Sequence, residues 1–341
     1  MESMFFPFLL IIFASVFQGS FGLGMKYMAP LKWEAWWLVH ASIAMLIIPL
    51  VWAYLVVPDL FGVLGTAFSD PSMSNVVFMA MLFGFLWGIG GILFGVSVPY
   101  IGLSLTMGIV MGLAGSIGAL IPLLLMENAT STPQFPYVIA GLLITLVGVA
   151  ITAKAGIDKD KLSKEEVTEK TNIMKGIFIA VACGILSALL NVGFVSAAPI
   201  ADLAKEAGAV DRNASLASWV VVLLGAYVMN AGYAVYLLIK NKSWNNFKIE
   251  GAGKAYKGAI VASILWFGAL GVYGQGAALI GPIGGVIGWP MLLGLSLIVS
   301  NFWAYRAGEW KGAKKPFNLL LVGLVILIFA SVILGYSNTV A

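Results

Sequence analysis

The stretch FGFLWGIGGILFGVSVPYIGLS, residues 83–104, contains six glycines in 22 positions. Glycine-rich runs form phosphate-binding loops or close helix–helix contacts. A phosphate loop requires GxxxxGK[ST], or GxGxxG between a strand and a helix. The hexamer GIGGIL that begins at Gly88 has leucine in place of the last glycine, and no lysine follows it. The pairs Gly84/Gly88 and Gly91/Gly95 have the four-residue spacing that lets two helices approach closely, so we predict a packed helix.

The composition of the whole chain decides the environment of this helix. Of 341 residues, 61% are hydrophobic and 10% are charged, and the mean hydropathy is +0.99. Soluble domains contain about 25% charged residues, so this chain cannot cover a soluble surface. We therefore predict a multi-pass membrane protein. A helix needs about 20 apolar residues to cross the hydrocarbon core, which leaves room for roughly ten spans.

Ten apolar segments can be delimited, and their residues do not alternate as barrel strands do. Only helices and closed barrels span lipid, so we predict an all-α fold. The first segment lacks a basic n-region and is long enough to span, so we expect a span and not a cleaved signal peptide. The predicted segments are 4–27, 35–57, 74–97, 100–125, 135–154, 173–197, 215–239, 257–280, 283–304 and 317–337.

Basic residues are concentrated in alternate connections between these segments. Of the 19 lysines and arginines, 17 belong to the first, fifth, seventh and ninth connections, and the exceptions are Lys205 and Arg212. Loops rich in lysine and arginine stay in the cytoplasm. We therefore predict that the odd-numbered connections are cytoplasmic. With ten spans, both termini are then on the outer side of the membrane.

The fifth connection, GIDKDKLSKEEVTEKTN at 156–172, is the one long polar segment of the sequence. It suggests a first five-helix repeat at 1–154, a cytoplasmic linker at 155–172 and a second five-helix repeat at 173–341. Because five is an odd number, the two halves would insert in opposite orientations. This is the inverted-repeat design of many secondary transporters.

Weak internal similarity agrees with a duplication. Two offsets, of 179 and 169 residues, superpose like residues from the two halves. The first offset places Trp87 on Trp266, Phe94 on Tyr273, Gly95 on Gly274 and Gly102 on Gly281, and the second places Gly24 on Gly193 and Ala29-Pro30 on Ala198-Pro199.

Trp87 and Trp266 fall in the middle of their predicted helices and not at the membrane surface. An indole presents a flat apolar face and one N–H donor, a combination suited to a sugar ring. Transporter sites lie near the midplane between repeats. We therefore predict that this repeat-related pair binds substrate, while packing between glycine-rich helices is the simpler alternative.

Further substrate-binding candidates are polar or aromatic groups at membrane depth. Amides cost free energy in lipid unless they are hydrogen-bonded, and helix–helix contacts are their ordinary role. They can also donate to and accept from the hydroxyls of a polyol. Trp289 precedes Pro290, which we expect to interrupt the ninth helix and expose backbone groups. The predicted residues are Gln18, Asn191, Asn230, Tyr273, Gln275 and Trp289.

Three ionisable groups near the first connection are the candidates for proton coupling: Lys26, Glu34 and His40. Imidazole titrates near physiological pH. Lys26 can instead extend to the lipid headgroups, and Glu34 can be an exposed helix start in KWEAWW. One histidine and one cysteine in the chain leave no ligand set for a His- or Cys-based metal cluster.

The sequence resembles the L-rhamnose–proton symporters (RhaT) of the drug/metabolite transporter superfamily over nearly its whole length. The best matches are LWGIGGILFGVSVPYIGLSL from Leu86, KWEAWW from Lys32, and IGWPMLLG from Ile287 followed by GEW from Gly308. The family pattern also includes an aromatic at Tyr273, Trp266, Asn230 and a basic residue at Lys26, whereas His40 lies outside it.

The resemblance implies ten helices, periplasmic termini and import of L-rhamnose, or a similar deoxy-sugar or pentose, with protons. No cofactor and no nucleic-acid partner are expected, and the partners are the sugar, the proton and the lipid bilayer. A homodimer is compatible with the sequence. The alternatives are a metabolite exporter, a carrier coupled to Na⁺, a membrane-embedded transferase and a structural or sensory membrane subunit. A transferase would need a nucleophile–base set or a carboxylate pair at membrane depth, and the sequence has neither.

Overall fold

The computed structural model describes residues 5–162 and 173–340. Within these residues the chain is helical and has no β-strand, so the all-α prediction is confirmed. Ten helices in the described part are long and apolar enough to cross a membrane, which confirms the predicted number. Spans 1 to 10 are Phe6–Met25, Trp33–Val56, Pro71–Ile101, Leu103–Leu125, Phe135–Leu162, Ile173–Glu206, Asp211–Lys240, Gly253–Ile280, Gly284–Arg306 and Lys314–Val340.

Several helix boundaries differ from the predicted segments. Span 5 continues through Leu162, so the first part of the predicted linker 155–172 is helical, and the remainder of that linker lies outside the described residues. Span 6 consists of two helices, Ile173–Ser196 and Ala198–Glu206. Polar residues extend spans 5 and 6 beyond their apolar cores, and a hydropathy pattern cannot locate the ends of such extensions.

Span 2 is not a uniform α-helix. Its α-helical parts, Trp33–Ala41 and Ile48–Val56, flank a π-helix at Ser42–Ile47. Pi-helical turns are rare and occur frequently at functional sites. Shorter helices lie at Leu60–Ser69, Pro71–Met73, Ala129–Ser131, Trp244–Lys248 and Asn338–Val340.

The helices form two compact units, and each unit contains residues from both halves of the sequence. Unit 1 comprises Met1–Gly88 and Gly193–Gly281, and unit 2 comprises Ile89–Val192 and Pro282–Ala341. In unit 1, span 8 packs along span 1 and also contacts spans 2 and 7. In unit 2, span 5 packs along span 10, and span 4 contacts spans 5 and 9.

The glycines of the opening stretch have different roles. A Cβ at Gly84 would collide with the carbonyl oxygen of Val222 in span 7, and one at Gly88 would lie 2.9 Å from the amide nitrogen of Asn230. This pair therefore permits the close helix contact that its spacing predicts. Added Cβ atoms at Gly91 and Gly95 would meet no described atom within 4 Å, so the second pair mediates no such contact.

Gly102 separates spans 3 and 4 within the same stretch. Its φ of +80° lies in a region that residues with a side chain rarely adopt. Span 3 ends at Ile101 and span 4 begins at Leu103, so this one residue redirects the chain.

The helix that contains Pro290 is continuous from Gly284 to Arg306, so the predicted interruption of the ninth helix is wrong. Pro290 is the seventh residue of this helix. It removes one N–H from the first turns of the helix, and the remaining backbone hydrogen bonds are sufficient to carry the helix past it.

Candidate functional site

Trp87 of span 3 and Trp266 of span 8 are in ring contact in unit 1. Their ring centroids are 5.5 Å apart and the ring planes are inclined by 31°. Trp266 is buried and Trp87 is half-buried. The two predicted tryptophans therefore form one aromatic surface, part of which remains exposed on Trp87.

This surface continues into span 2 through His40. The imidazole of His40 meets the ring of Trp266 edge-on at 6.2 Å, stacks on Trp36 at 5.3 Å and lies 5.1 Å from Trp37. Trp33 stacks on Trp37 at 5.2 Å. We call Trp33, Trp36, Trp37, His40, Trp87 and Trp266 the aromatic cluster.

His40 is buried and makes a polar contact with span 8. Its Nδ1 lies 3.0 Å from the hydroxyl oxygen of Ser263, and this hydroxyl also donates to the carbonyl of Ala259 at 2.7 Å. Both side chains are at most 1% exposed. His40 is thus joined to span 8 by both an aromatic and a polar contact.

Asn230 of span 7 is bonded to the same cluster. The indole N–H of Trp37 donates to its Oδ1 at 3.0 Å, and its Nδ2 donates to the carbonyl of Ala226 at 2.9 Å. Asn230 is 4% exposed. Asn230, which the sequence predicts to bind substrate, therefore also joins spans 2 and 7.

Gln18 of span 1 presents a buried Oε1 that has no hydrogen-bond partner among the described residues. The neighbouring Phe17 packs against Gly268 of span 8, which follows Trp266 by two positions. A buried carbonyl oxygen without a donor costs free energy. The hydroxyl group of a bound polyol is a donor that could satisfy it.

Tyr273 and Gln275 lie further along span 8. Tyr273 is fully buried, two helical turns from Trp266, in a separate aromatic group with Phe194 and Trp219. The Nε2 of Gln275 donates to Asn213 Oδ1 at 3.0 Å. The structure therefore does not bring these two predicted residues to the aromatic cluster.

Asn191 and Trp289 belong to unit 2. Asn191 is fully buried and donates to the carbonyls of Gly118 and Gly285 at 2.8 and 2.9 Å. Trp289 donates from its indole nitrogen to the carbonyl of Ala114 at 3.0 Å. These bonds join spans 6 and 9 to span 4, and a role of either residue in substrate binding stays a prediction.

The three proton-coupling candidates are in different environments. Lys26 is exposed, whereas Glu34 and His40 are 5% and 1% exposed. Glu34 Oε1 accepts from Ser243 Oγ at 2.7 Å and from Asn241 Nδ2 at 3.1 Å. Glu34 is therefore not the exposed helix start that the sequence left open as an alternative.

Sequence analysis assigned no role to Trp33, Trp36, Trp37 or Ser263. The first three were visible in KWEAWW, and positions 33, 36, 37 and 40 have the spacing of one helix face. That spacing was a signal for an aromatic face carrying His40. Ser263 had no such signal, because small hydroxyl residues are common in apolar helices.

Comparisons with known proteins agree over nearly the whole chain. The family model of the L-rhamnose-proton symport protein (RhaT) matches residues 4–340. A protein of Citrobacter koseri named L-rhamnose-proton symporter is 29% identical over 317 residues, 89% of each chain. Proteins of that name from Yersinia pestis and Yersinia pseudotuberculosis are 28% identical over 315 and 316 residues, also 89% of each chain.

Ten apolar spans, with a buried aromatic and polar cluster in unit 1, define a multi-pass α-helical membrane protein. Within that class, the chain belongs to the L-rhamnose-proton symport protein family. Membership in a family of symport proteins confirms the prediction of a transporter and not an enzyme.

Proposed function

We propose that this protein imports L-rhamnose, or a similar deoxy-sugar or pentose, together with protons across the inner membrane of a bacterium. The names of its relatives support the substrate and the coupling ion. The structural observation that carries the proposal is the contact between Trp87 and Trp266. Aromatic faces bind the apolar face of a sugar ring, and this pair lies at repeat-related positions, where transporter sites occur.

The surroundings of the pair suit a neutral sugar. Gln18 follows Phe17, which packs on Gly268 of span 8, and its Oε1 offers an acceptor to a sugar hydroxyl. Asn230 accepts a hydrogen bond from Trp37 of the aromatic cluster. A deoxy-sugar presents a methyl group and several hydroxyls, so a site of indole faces with a few amides matches its chemistry. Alternating access would expose this site first to the periplasm and then to the cytoplasm.

Reciprocal packing in unit 1 supports the proposed inverted repeat of five plus five helices, as in the drug/metabolite transporter superfamily. Gly24 of span 1 packs on Ala262 of span 8, and Gly193 of span 6 packs on Phe83 of span 3. The two offsets found in the sequence relate the first contact to the second. An inverted repeat predicts such exchanged pairs, because each half packs against its counterpart.

Two repeat-related glycines also share a backbone feature. Gly102 follows the end of span 3 with φ of +80°, and Gly281 follows the end of span 8 with φ of +92°. Spans 3 and 8, which correspond under the offset of 179 residues, are thus both followed by a glycine with positive φ. This shared feature further supports the proposed repeat.

The orientation that we propose has the odd-numbered connections in the cytoplasm and both termini in the periplasm, because 17 of 19 basic residues belong to the odd connections. Large apolar side chains on the outside of the spans, such as Leu55, Leu125 and Phe178, are more than 70% exposed. Their natural surroundings are the acyl chains of the bilayer.

The decisive experiment is uptake into proteoliposomes. The purified protein is given a panel of labelled sugars under an imposed pH gradient, an imposed Na⁺ gradient, or neither. We expect accumulation of L-rhamnose or a related deoxy-sugar or pentose under the pH gradient alone. Accumulation under the Na⁺ gradient alone would reject proton coupling, and the absence of transport of every sugar would reject the substrate class.

A further inference from the structure

Glu34 anchors a segment that is more than 200 positions away in the sequence. The segment Asn241–Lys248, called here the 241–248 segment, connects spans 7 and 8 and contains the short helix Trp244–Lys248. Glu34 Oε1 accepts from the hydroxyl of Ser243 at 2.7 Å and from the amide of Asn241 at 3.1 Å. Both donors are neutral, so the carboxylate is the charged member of each bond.

The same segment is bonded at two further points. The backbone N–H of Lys32 donates to Asn246 Oδ1 at 2.6 Å, and the hydroxyl of Tyr256 in span 8 donates to the carbonyl of Phe247 at 2.7 Å. Ser243 and Asn246 are each 5% exposed. The 241–248 segment is thus held between the start of span 2 and the start of span 8.

The charges around Glu34 are few. Lys32 is the cation whose charge acts on the carboxylate, and Glu34 also lies in the first turn of a helix, where the helix dipole favours an anion. The lysines on the neighbouring elements are solvent-exposed, and the other titratable groups there are tyrosines, a histidine and the exposed carboxylate of Glu250, which follows the segment by two positions. These groups are Lys26, Lys240, Lys242, Lys248, Lys254, Lys257, Tyr27, Tyr233, Tyr236, Tyr256, His40 and Glu250.

We infer that Glu34 is the proton-binding group of the transport cycle, and that it acts through the 241–248 segment. The inference rests on the proposed function and narrows the three candidate proton-coupling residues, Lys26, Glu34 and His40, to one. Ionised Glu34 holds the segment over the start of span 2. A proton that enters with the sugar from the periplasmic side forms an O–H bond with the carboxylate, and the neutral acid holds the segment less tightly.

This assignment gives the order of events in import. Hydrogen bonds to a charged acceptor are roughly twice as strong as bonds between neutral groups. Protonation of Glu34 therefore favours release of the segment, at the end of unit 1 that the charge distribution predicts to be cytoplasmic. The proton then passes to cytoplasmic water, the carboxylate becomes ionised again, and the segment returns to its bonded position.

The geometry favours Glu34 over the other two candidates. Lys26 is exposed, so its surroundings need not change between two conformations. His40 is buried among the rings of Trp36, Trp37 and Trp266, and its polar partner Ser263 belongs to a transmembrane helix. Glu34 is the candidate whose bonds hold a connection between two spans, and such a connection can move without the loss of a helix.

Hydrogen–deuterium exchange in lipid nanodiscs tests the inference without any substrate. Exchange in the peptide that covers residues 241–248 is measured at pH 7 and at pH 3.5 and corrected for the intrinsic effect of pH. In the wild-type protein we expect the protection factor to fall on the order of tenfold at the lower pH, because two charge-assisted bonds are weakened. Equal protection at the two pH values would overturn the inference.

Glu34→Gln separates this carboxylate from other titrating groups. We expect the glutamine variant to show low and equal protection of the segment at both pH values. The matched control is Glu127→Gln, which makes the same change at an exposed carboxylate in unit 2 and should keep the wild-type response. A response to pH that survives in Glu34→Gln would assign the titration to another group.

A transport measurement then tests the coupling itself. Glu34→Gln should exchange labelled for unlabelled sugar across proteoliposomes and fail to accumulate sugar under a pH gradient. If exchange protection behaves as expected but accumulation equals that of the wild type, Glu34 is not the coupling group. If the wild-type protein transports no sugar, the proposed function fails, while the exchange result still decides the contact between Glu34 and the segment.

Discussion

Trp87 and Trp266 are 179 positions apart in the sequence, yet their ring centroids are separated by 5.5 Å. Each residue lies within a long apolar helix, and one offset between the two halves superposes them. In the proposed inverted repeat these two residues are equivalent, and transporter sites lie where the two repeats meet. This contact is the basis of the first prediction.

Replacing Trp87 or Trp266 by Ala is expected to weaken sugar binding about tenfold, because an indole face is lost, and tenfold corresponds to about 1.4 kcal/mol. Phe at either position keeps an aromatic face and should have a smaller effect. Isothermal titration calorimetry with the transported sugar measures the affinity directly.

The control for this pair is Trp52→Phe. Trp52 packs against Gly271 and Phe267 in unit 1, and among the described residues it has no ring contact with either tryptophan of the pair. This variant should bind sugar like the wild type. Normal expression and unchanged affinity of both Ala variants would assign Trp87 and Trp266 to packing alone.

His40→Gln is expected to keep sugar accumulation driven by a pH gradient. Glutamine can hydrogen-bond to Ser263, and the proposed carrier of the proton is Glu34. His40→Leu removes the polar contact and should lower sugar affinity several-fold through the ring of Trp266. Accumulation and sugar counterflow are measured in parallel, and loss of accumulation alone in His40→Gln would move the coupling role to His40.

Two alanine substitutions in the stretch 83–104 should differ in their effect on the stability of the protein. Gly84→Ala places a methyl group against the backbone of Val222, where no side chain can yield, so we expect destabilisation of about 1–3 kcal/mol. Gly91→Ala meets no described atom within 4 Å and should be neutral or slightly stabilising, since alanine favours helix. Thermal unfolding in detergent measures both, and equal melting temperatures would contradict the packing described here.

The orientation in the membrane can be tested with single cysteines in a Cys183→Ala background. Lys248→Cys lies in the connection between spans 7 and 8, and Ser72→Cys lies at the start of span 3, and both sites are exposed. An impermeant thiol reagent added to intact cells should label position 72 and leave position 248 unlabelled until the membrane is opened. The reverse pattern would invert the proposed topology.

The candidate site could be predicted only in part. Trp87, Trp266, His40, Glu34, Asn230 and Gln18 were identified from their depth and chemistry, and all six lie in unit 1. Asn191 and Trp289 had the same properties in the sequence and yet make their hydrogen bonds in unit 2. The depth of a residue in the membrane does not determine which neighbouring helix its side chain contacts.

The sequence by itself determined the all-α class, the ten spans and the family. The all-α class and the ten spans depend on local composition, because each crossing needs about 20 apolar residues and each helix satisfies its own backbone. The family follows from sequence matches spread along the chain. The tertiary structure decided the partners: Ser243 and Asn241 for Glu34, Ser263 for His40, and a close neighbour for Gly84 but not for Gly91. A helix with a satisfied backbone can rotate about its axis in lipid at little cost, so packing against other helices alone selects which face meets which partner.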